Sequence, residues 1–142
     1  MDFRLTEEQE MMKRMAHDFA TNEIAPFASE WDHNHIYPQE CLNKMHELGF
    51  MAIGVPAECG GPGLDHVTQN IVAEEICWGD AGIGTIMVAS ALLATDLIHV
   101  AANEEQKKEW FGRILDGELG AFCLTEPGAG SDAAGISTRC TK

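Results

Sequence analysis

Positive charge is scarce in this chain. Across 142 residues, 9 Lys and Arg stand against 23 Asp and Glu, a formal net charge of −14. Such a field repels phosphate backbones and anionic headgroups, which argues against nucleic acid and an acidic membrane surface as partners. Paired cysteine is also lacking. Cys41, Cys59, Cys77, Cys123 and Cys140 are odd in number, lie far apart and form no C-x-x-C pair, so they read as reduced thiols rather than a disulfide framework or a zinc ribbon. No H-E-x-x-H, G-x-S-x-G or Walker sequence occurs. Internal repeats, low-complexity tracts and a charged tail are missing too. The opening, Met1-Asp-Phe-Arg-Leu-Thr-Glu-Glu, carries no basic-then-apolar leader, and a cytoplasmic location is the resulting expectation.

What is present is helical patterning on a one-domain length, enough to bury about 68–70% of the unfolded chain's surface. Thr6-Glu-Glu-Gln9 is a capping box, opening a helix whose Met11, Met12, Met15 and Phe19 share one face, with Pro26 set to end or kink it. Met at that spacing is read as core rather than as a binding face. Pro38 at a first helical position and Gly49 just past the end frame a second helix, with Leu42, Met45 and Leu48 inward. Asp65 is expected to cap a helix carrying Val67, Ile71 and Ile76. Asn103 is expected to cap another with Trp110, Phe111, Ile114 and Leu115 on its buried side. Between them runs the longest uncharged stretch, Ala81 to Thr95 and on to Ala102. Asp96 near a bilayer centre costs about 2.5–3.5 kcal/mol and the flanks carry no Lys or Arg bias, so a soluble core helix in the middle of the bundle is expected instead. Four to six helices are thus predicted before a single strand.

Two polar constellations invite chemistry and are set aside. Asp32-His33-Asn-His35, with His46, has poor metal-ligand spacing and sits beside Pro38 in a predicted loop. Glu74-Glu75 are neighbours, which point to different parts of a helix, and read as a solvated edge.

The tail carries more. The apolar lead-in from Leu119 to Leu124, broken only by Gly120, reads as a short buried strand, and Thr125 opens a turn. Pro127 presets one backbone angle. Gly128 and Gly130 are expected to allow left-handed angles and close approach, so that successive N–H groups form a nest for an anionic oxygen, with the Thr125 and Ser131 hydroxyls as added donors. A pyrophosphate suits such a turn. Gly128-Ala-Gly-Ser-Asp-Ala133 also satisfies the relaxed dinucleotide pattern G-x-G-x-x-A, but Glu126-Pro127 separates it from the strand, and the chain ends before the place about twenty residues on where that pattern has its acidic residue.

At these residues the sequence resembles the acyl-CoA dehydrogenase family: Phe122-Cys-Leu-Thr-Glu-Pro-Gly-Ala-Gly-Ser-Asp-x-x-Gly135 looks like its first signature element. Gly54-Val-Pro-Ala-Glu-Cys-Gly-Gly61-Pro-Gly63 is similar to the loop after the family's third helix, and Ile24-Ala-Pro26 with Glu30-Trp31-Asp32 resembles its first helical turn-over. The resemblance implies a mainly α fold, an N-terminal helical bundle over residues 1–116, followed over 117–142 by the first strand and flavin-contacting loop of a truncated β-domain. It implies FAD as cofactor, an acyl-CoA substrate, an electron-transfer flavoprotein as acceptor, a place in fatty-acid β-oxidation, and a homo-oligomer when full length. Residue by residue, Phe122, Leu124 and Thr125 would line the flavin ring, Gly130 and Ser131 would bond the pyrophosphate side, and Ser131 would also reach the acyl-CoA. Cys123, Glu126, Pro127, Gly128 and Ala129 would shape the turn. Where several members have Tyr, Phe122 keeps ring packing and loses a phenol hydrogen bond. The family's proton-abstracting glutamate and most of its acyl pocket lie in a C-terminal helical domain, so this chain alone is expected neither to hold FAD tightly nor to turn over. Two rivals remain open, a non-catalytic helical interaction module and another flavin oxidase of the same fold.

Overall fold

The computed structural model describes residues 4–141, so residues 1–3 of the acidic opening and Lys142, the last residue of the expected 117–142 segment, lie outside it. Local side-chain chemistry sets the helix starts. The Thr6 side chain accepts from Gln9 N while Gln9 returns the bond to Thr6 N, opening α1 (Glu7–Phe19). Without a break α1 runs on into a π-helical turn, Ala20–Ile24, and Pro26 lies in the bend that follows. Helix α2 (Ala28–Asn34) ends where His35 adopts left-handed angles, φ 54° and ψ 42°. In α3 (Gln39–Glu47) Pro38 is the capping residue rather than the first helical one, and Gly49 takes φ 81° past the end. Asp65 caps α4 (His66–Gly79), its carboxylate accepting from Val67 N and Thr68 N. Asn103 and Gln106 form a second capping box at α7 (Glu104–Leu115).

Between α4 and α7 the long apolar stretch forms one continuous rod: α5 (Ala81–Met87), a π-helical segment Val88–Ala94, and α6 (Thr95–Ala101). The wider π register takes carbonyls out of the ordinary ladder, and the buried Thr95 hydroxyl lies 2.8 Å from both Ala91 O and Leu92 O to satisfy them. By length and composition this is a helix that could cross a membrane. It is not enclosed by the bundle, as the sequence suggested. Ile83, Met87, Ala91, Ala94 and Thr95 are buried, whereas Leu93, Leu97 and Val100 face outward, Val100 at 83% exposure.

The main core joins Phe19 and Ile24 at the end of the first rod, Met45 of α3, Phe50 and Ile53 of the following loop, Val72 and Ile76 of α4, and Met87 of α5. Phe19 and Phe50 meet edge to face at 5.9 Å. A smaller cluster seats Phe111 and Ile114 of α7 on Ala52 and Val55. Periodicity placed the apolar faces correctly but not their edges. Met11, Leu48, Val67 and Trp110, all expected inward, are 42–58% exposed, because each lies on the flank of its helix where no neighbour covers it. Glu75 corrects the opposite way. It is buried at 8% exposure between α4 and α1, its carboxylate accepting from His17 Nδ1 at 2.7 Å with Lys13 Nζ at 3.6 Å, while Glu74 alone faces solvent.

The strand expected over Leu119–Leu124 is not formed. Among the described residues that segment is neither helix nor β-ladder, and the sole bridge nearby joins Glu126 to Ala129. A strand exists through its pairing, and among the described residues no neighbouring segment offers its backbone there.

Candidate functional site

The tail leaves the bundle through a helix stop of definite geometry. Gly117, at φ 100°, donates to Ile114 O, and Glu118 donates to Arg113 O, the two bonds of a Schellman motif closing α7. Arg113 then reinforces the exit. Its guanidinium lies 4.8 Å above the Trp110 ring and bonds Glu118 from Nε at 2.8 Å and Nη2 at 2.6 Å. Two residues on, Gly120 N donates to Ser90 Oγ at 2.8 Å, tying the tail to the π-helical segment. A groove of about 440 Å³ opens beside this crossing, walled by Ala94, Leu97, Ile98, Ala101, Trp110 and Leu119.

Beyond Gly120 the chain makes a lasso. Glu126 and Ala129 exchange backbone bonds of 3.0 and 3.1 Å around Pro127-Gly128, which sets Thr125 and Gly130 next to each other where the turn opens. The Glu126 carboxylate then reaches forward to the returning chain and accepts from Ser137 N at 2.9 Å, Ser137 Oγ at 3.1 Å and Thr138 N at 2.8 Å. Hydrogen bonding by the Thr138 side chain and by the amides of Ser137 and Thr138 holds this carboxyl down at about 2. Ala129, 2% exposed, fills the closed loop.

One expectation fails here. Neither Gly128 nor Gly130 is among the residues with positive φ, so the turn is not one that needs a left-handed glycine. What the two glycines supply is room: a Cβ at either position has no heavy atom within 4 Å. Among the described residues the amides of Gly128, Gly130 and Ser131 and the hydroxyls of Thr125 and Ser131 have no acceptor within the chain. Thr125, Gly130 and Ser131 are thus exposed residues of one turn whose donors have no acceptor among the described residues, while the neighbouring Glu126 carboxylate is engaged by the clasp. A bound anion would find donors and no steric obstacle, and the residues present fit a pyrophosphate. Phe122 and Leu124 stand apart on the approach, 37% and 45% exposed and outside both core clusters.

Other candidates do not assemble. His35 ends α2, and among the described residues no group of three or more His, Cys, Asp or Glu side chains converges. All five cysteines are free, and burial pushes the Cys41 thiol up to about 11, away from a reactive thiolate. The residue missed from sequence is Ser90. The available signal was a lone hydroxyl within the apolar run from Ile86 to Ala94, which the structure buries to 2% exposure.

Residues 6–118 match the family model for the acyl-CoA dehydrogenase N-terminal domain. The chain is 43% identical to an acryloyl-CoA reductase (NADH) of Anaerotignum propionicum, over 97% of this chain and 35% of that one. It is 38% identical to the mitochondrial short-chain specific acyl-CoA dehydrogenase of Rattus norvegicus, over 94% and 33%. Among solved structures it superposes with TM-score 0.87 at 42% identity on a chain from work on the electron transferring flavoprotein of Acidaminococcus fermentans, covering 95% of this chain and 36% of that one. With an acyl-CoA dehydrogenase from Bacillus anthracis, complexed with FAD, the TM-score is 0.83 at 33% identity, over 93% and 23%. The chain spans about a third of the length of the curated relatives it matches. A bundle of this architecture, matched over 6–118 and at these identities, belongs to the acyl-CoA dehydrogenase family and is its N-terminal helical domain.

Proposed function

We propose that this chain forms one wall of a flavin and acyl-CoA site in an FAD-dependent acyl-CoA dehydrogenase that oxidises the α,β-bond of acyl-CoA thioesters. Residues 117–142 open the next domain, and the glutamate that removes the α-proton comes from outside the chain. The observation that carries the reading is the clasped turn, with amides at the exposed Gly130 and Ser131 that have no acceptor among the described residues, in a member of this family. FAD, when bound, supplies a two-electron acceptor for the hydride leaving the β-carbon. Gly130 and Ser131 N–H and the Ser131 hydroxyl donate to its pyrophosphate, and the Ser131 hydroxyl also reaches the acyl-CoA. The Thr125 hydroxyl donates at the ring, and Phe122 and Leu124 exclude water from the ring edge. Backbone donors suit a chain of net charge −14, because they bind a polyanion without a cationic patch. An electron-transfer flavoprotein is the proposed acceptor and a homo-oligomer the proposed assembly.

A second reading takes the same site in reverse, delivering hydride to a 2,3-enoyl-CoA, and the 43% identity to an acryloyl-CoA reductase favours it. Both readings require the turn to meet FAD. Titrating FAD into the isotope-labelled chain tests this through amide shifts. Gly130 and Ser131 are expected to move at high FAD concentration, without retention of flavin on a desalting column. Silence at both amides refutes the flavin reading. Stoichiometric flavin that reduces a dye with butyryl-CoA refutes the assignment of catalysis to residues outside this chain.

A further inference from the structure

The flavin-facing turn is joined to the bundle by a short irregular segment, and one side chain fixes where that segment lies. Ser90 sits in the π-helical part of the long rod at 2% exposure, and its Oγ accepts the Gly120 amide at 2.8 Å, thirty residues away in sequence. The contact is closed from the other side by shape. A Cβ on Gly120 would stand 2.6 Å from the Cβ of Ala94 and 3.3 Å from Ser90 O, so only glycine lets the backbone come this near. Ser90 and Ala94 are four apart and both belong to the seven-residue π stretch, which presents them together to the passing chain. Five residues beyond Gly120 the turn begins at Thr125, and no ladder holds the residues between.

We propose that Ser90 is a positioning residue: its hydroxyl and the small face of Ala94 latch the backbone at Gly120 and so set the place of the Thr125–Ser131 turn against the helical bundle. The functional part of this rests on the flavin reading above; the latch itself does not. The π register supplies the seat, the hydroxyl supplies the only side-chain acceptor at that crossing among the described residues, and the glycine supplies the clearance. Flavin affinity then depends on a side chain that never touches flavin, through the entropy of ordering the segment that leads to the donors.

Amide hydrogen exchange on the labelled chain tests the latch without any ligand. In Ser90→Ala the Gly120 amide is expected to exchange about two- to tenfold faster, the equivalent of one modest hydrogen bond, while amides of α1 and α4 keep their rates. Gly120→Ala is expected to loosen residues 120–124 more strongly, and to do so less in an Ala94→Gly background than alone, since that change restores the space. A Gly120 amide as fast in the wild type as in Ser90→Ala, or a Gly120→Ala effect equal in both backgrounds, overturns the latch. In the FAD titration, the concentration giving half the Gly130 shift is expected to rise in Ser90→Ala by the factor seen in exchange. Unchanged FAD response alongside a freed Gly120 amide overturns the positioning role. No FAD response in the wild type instead refutes the flavin reading, and exchange alone then decides the latch.

Discussion

The same substitution, glycine to alanine, is expected to have opposite effects at two positions of this bundle, and the pair tests the packing around the π-helical rod. At Gly54 a Cβ would stand 2.3 Å from Ala91 O and 2.3 Å from Thr95 Oγ1. The first of these atoms is backbone of the π segment and the second is the hydroxyl that satisfies that segment's carbonyls, so neither can yield without breaking the arrangement. Overpacking of this kind costs about 1–3 kcal/mol and occasionally more, and the short distance to a backbone oxygen places Gly54→Ala at about 3 kcal/mol. At Gly112, inside α7, a Cβ meets nothing within 4 Å, and alanine gains helix propensity of roughly 1 kcal/mol. For 142 residues the unfolding entropy at the midpoint is about 0.3 kcal/mol/K, so Tm should fall by about 10 °C in the first variant and rise by about 3 °C in the second. Differential scanning calorimetry at matched concentration reads both. A Gly54→Ala protein melting within a degree of wild type refutes the packing of the Gly54 loop against the π segment. A destabilised Gly112→Ala protein refutes the placement of Gly112 on an open helical face.

Three further expectations follow from side-chain contacts. The depressed Glu126 carboxyl gives stability that is complete above its unfolded value near 4.5 and is lost only as pH falls through about 2, so the Ser137 and Thr138 amide shifts should hold steady from neutrality through pH 4 and move with a midpoint near 2. A midpoint near 4.5 shows the clasp to be absent. Glu75→Ala should cost about 1–2 kcal/mol, toward the lower end because His17 and Lys13 are each 46% exposed and regain water; urea unfolding that shows no loss removes Glu75 as a tie between α1 and α4. Val100→Glu, at a position 83% exposed, should leave stability within about 0.5 kcal/mol while reducing concentration-dependent light scattering; a large loss of stability shows that Val100 is covered.

What the sequence revealed and what it concealed divide along a physical line. Caps at Thr6, Asp65 and Asn103 were legible because each satisfies orphan amides within three residues of itself. The stop at Gly49 was legible because it too closes onto its own helix, its amide donating to His46 O three residues back. Contacts that depend on distant parts of the chain were not. Glu75 reads as a surface residue until His17, 58 positions away, is placed beside it, and Ser90 reads as an incidental hydroxyl until Gly120 arrives. The expected strand failed because pairing belongs to two segments and the sequence shows only one of them. At the turn, the chemistry of Thr125, Gly130 and Ser131 was visible in residue type, and of the two reasons for the glycines only one holds. They leave space for close approach, as expected, and do not adopt left-handed angles, while the Glu126 carboxylate that holds the loop shut takes its donors from Ser137 and Thr138, beyond the motif.

The π-helical stretch in the long rod also sets a phase. An α-helix advances by about 100° per residue, and a π-helical turn holds about one residue more than an α turn, so the extra residue is taken up inside the stretch instead of turning everything after it by that angle. Winding Val88–Ala94 as plain α-helix at the same length would swing α6 around its own axis, carrying Thr95 away from its place beside Gly54 and turning the open row of Leu97 and Val100 toward a different neighbour. A one-residue insertion or deletion is usually thought of as a loop event. In this protein it is the length of a helix interior, counted to the residue, that aims one face of the domain.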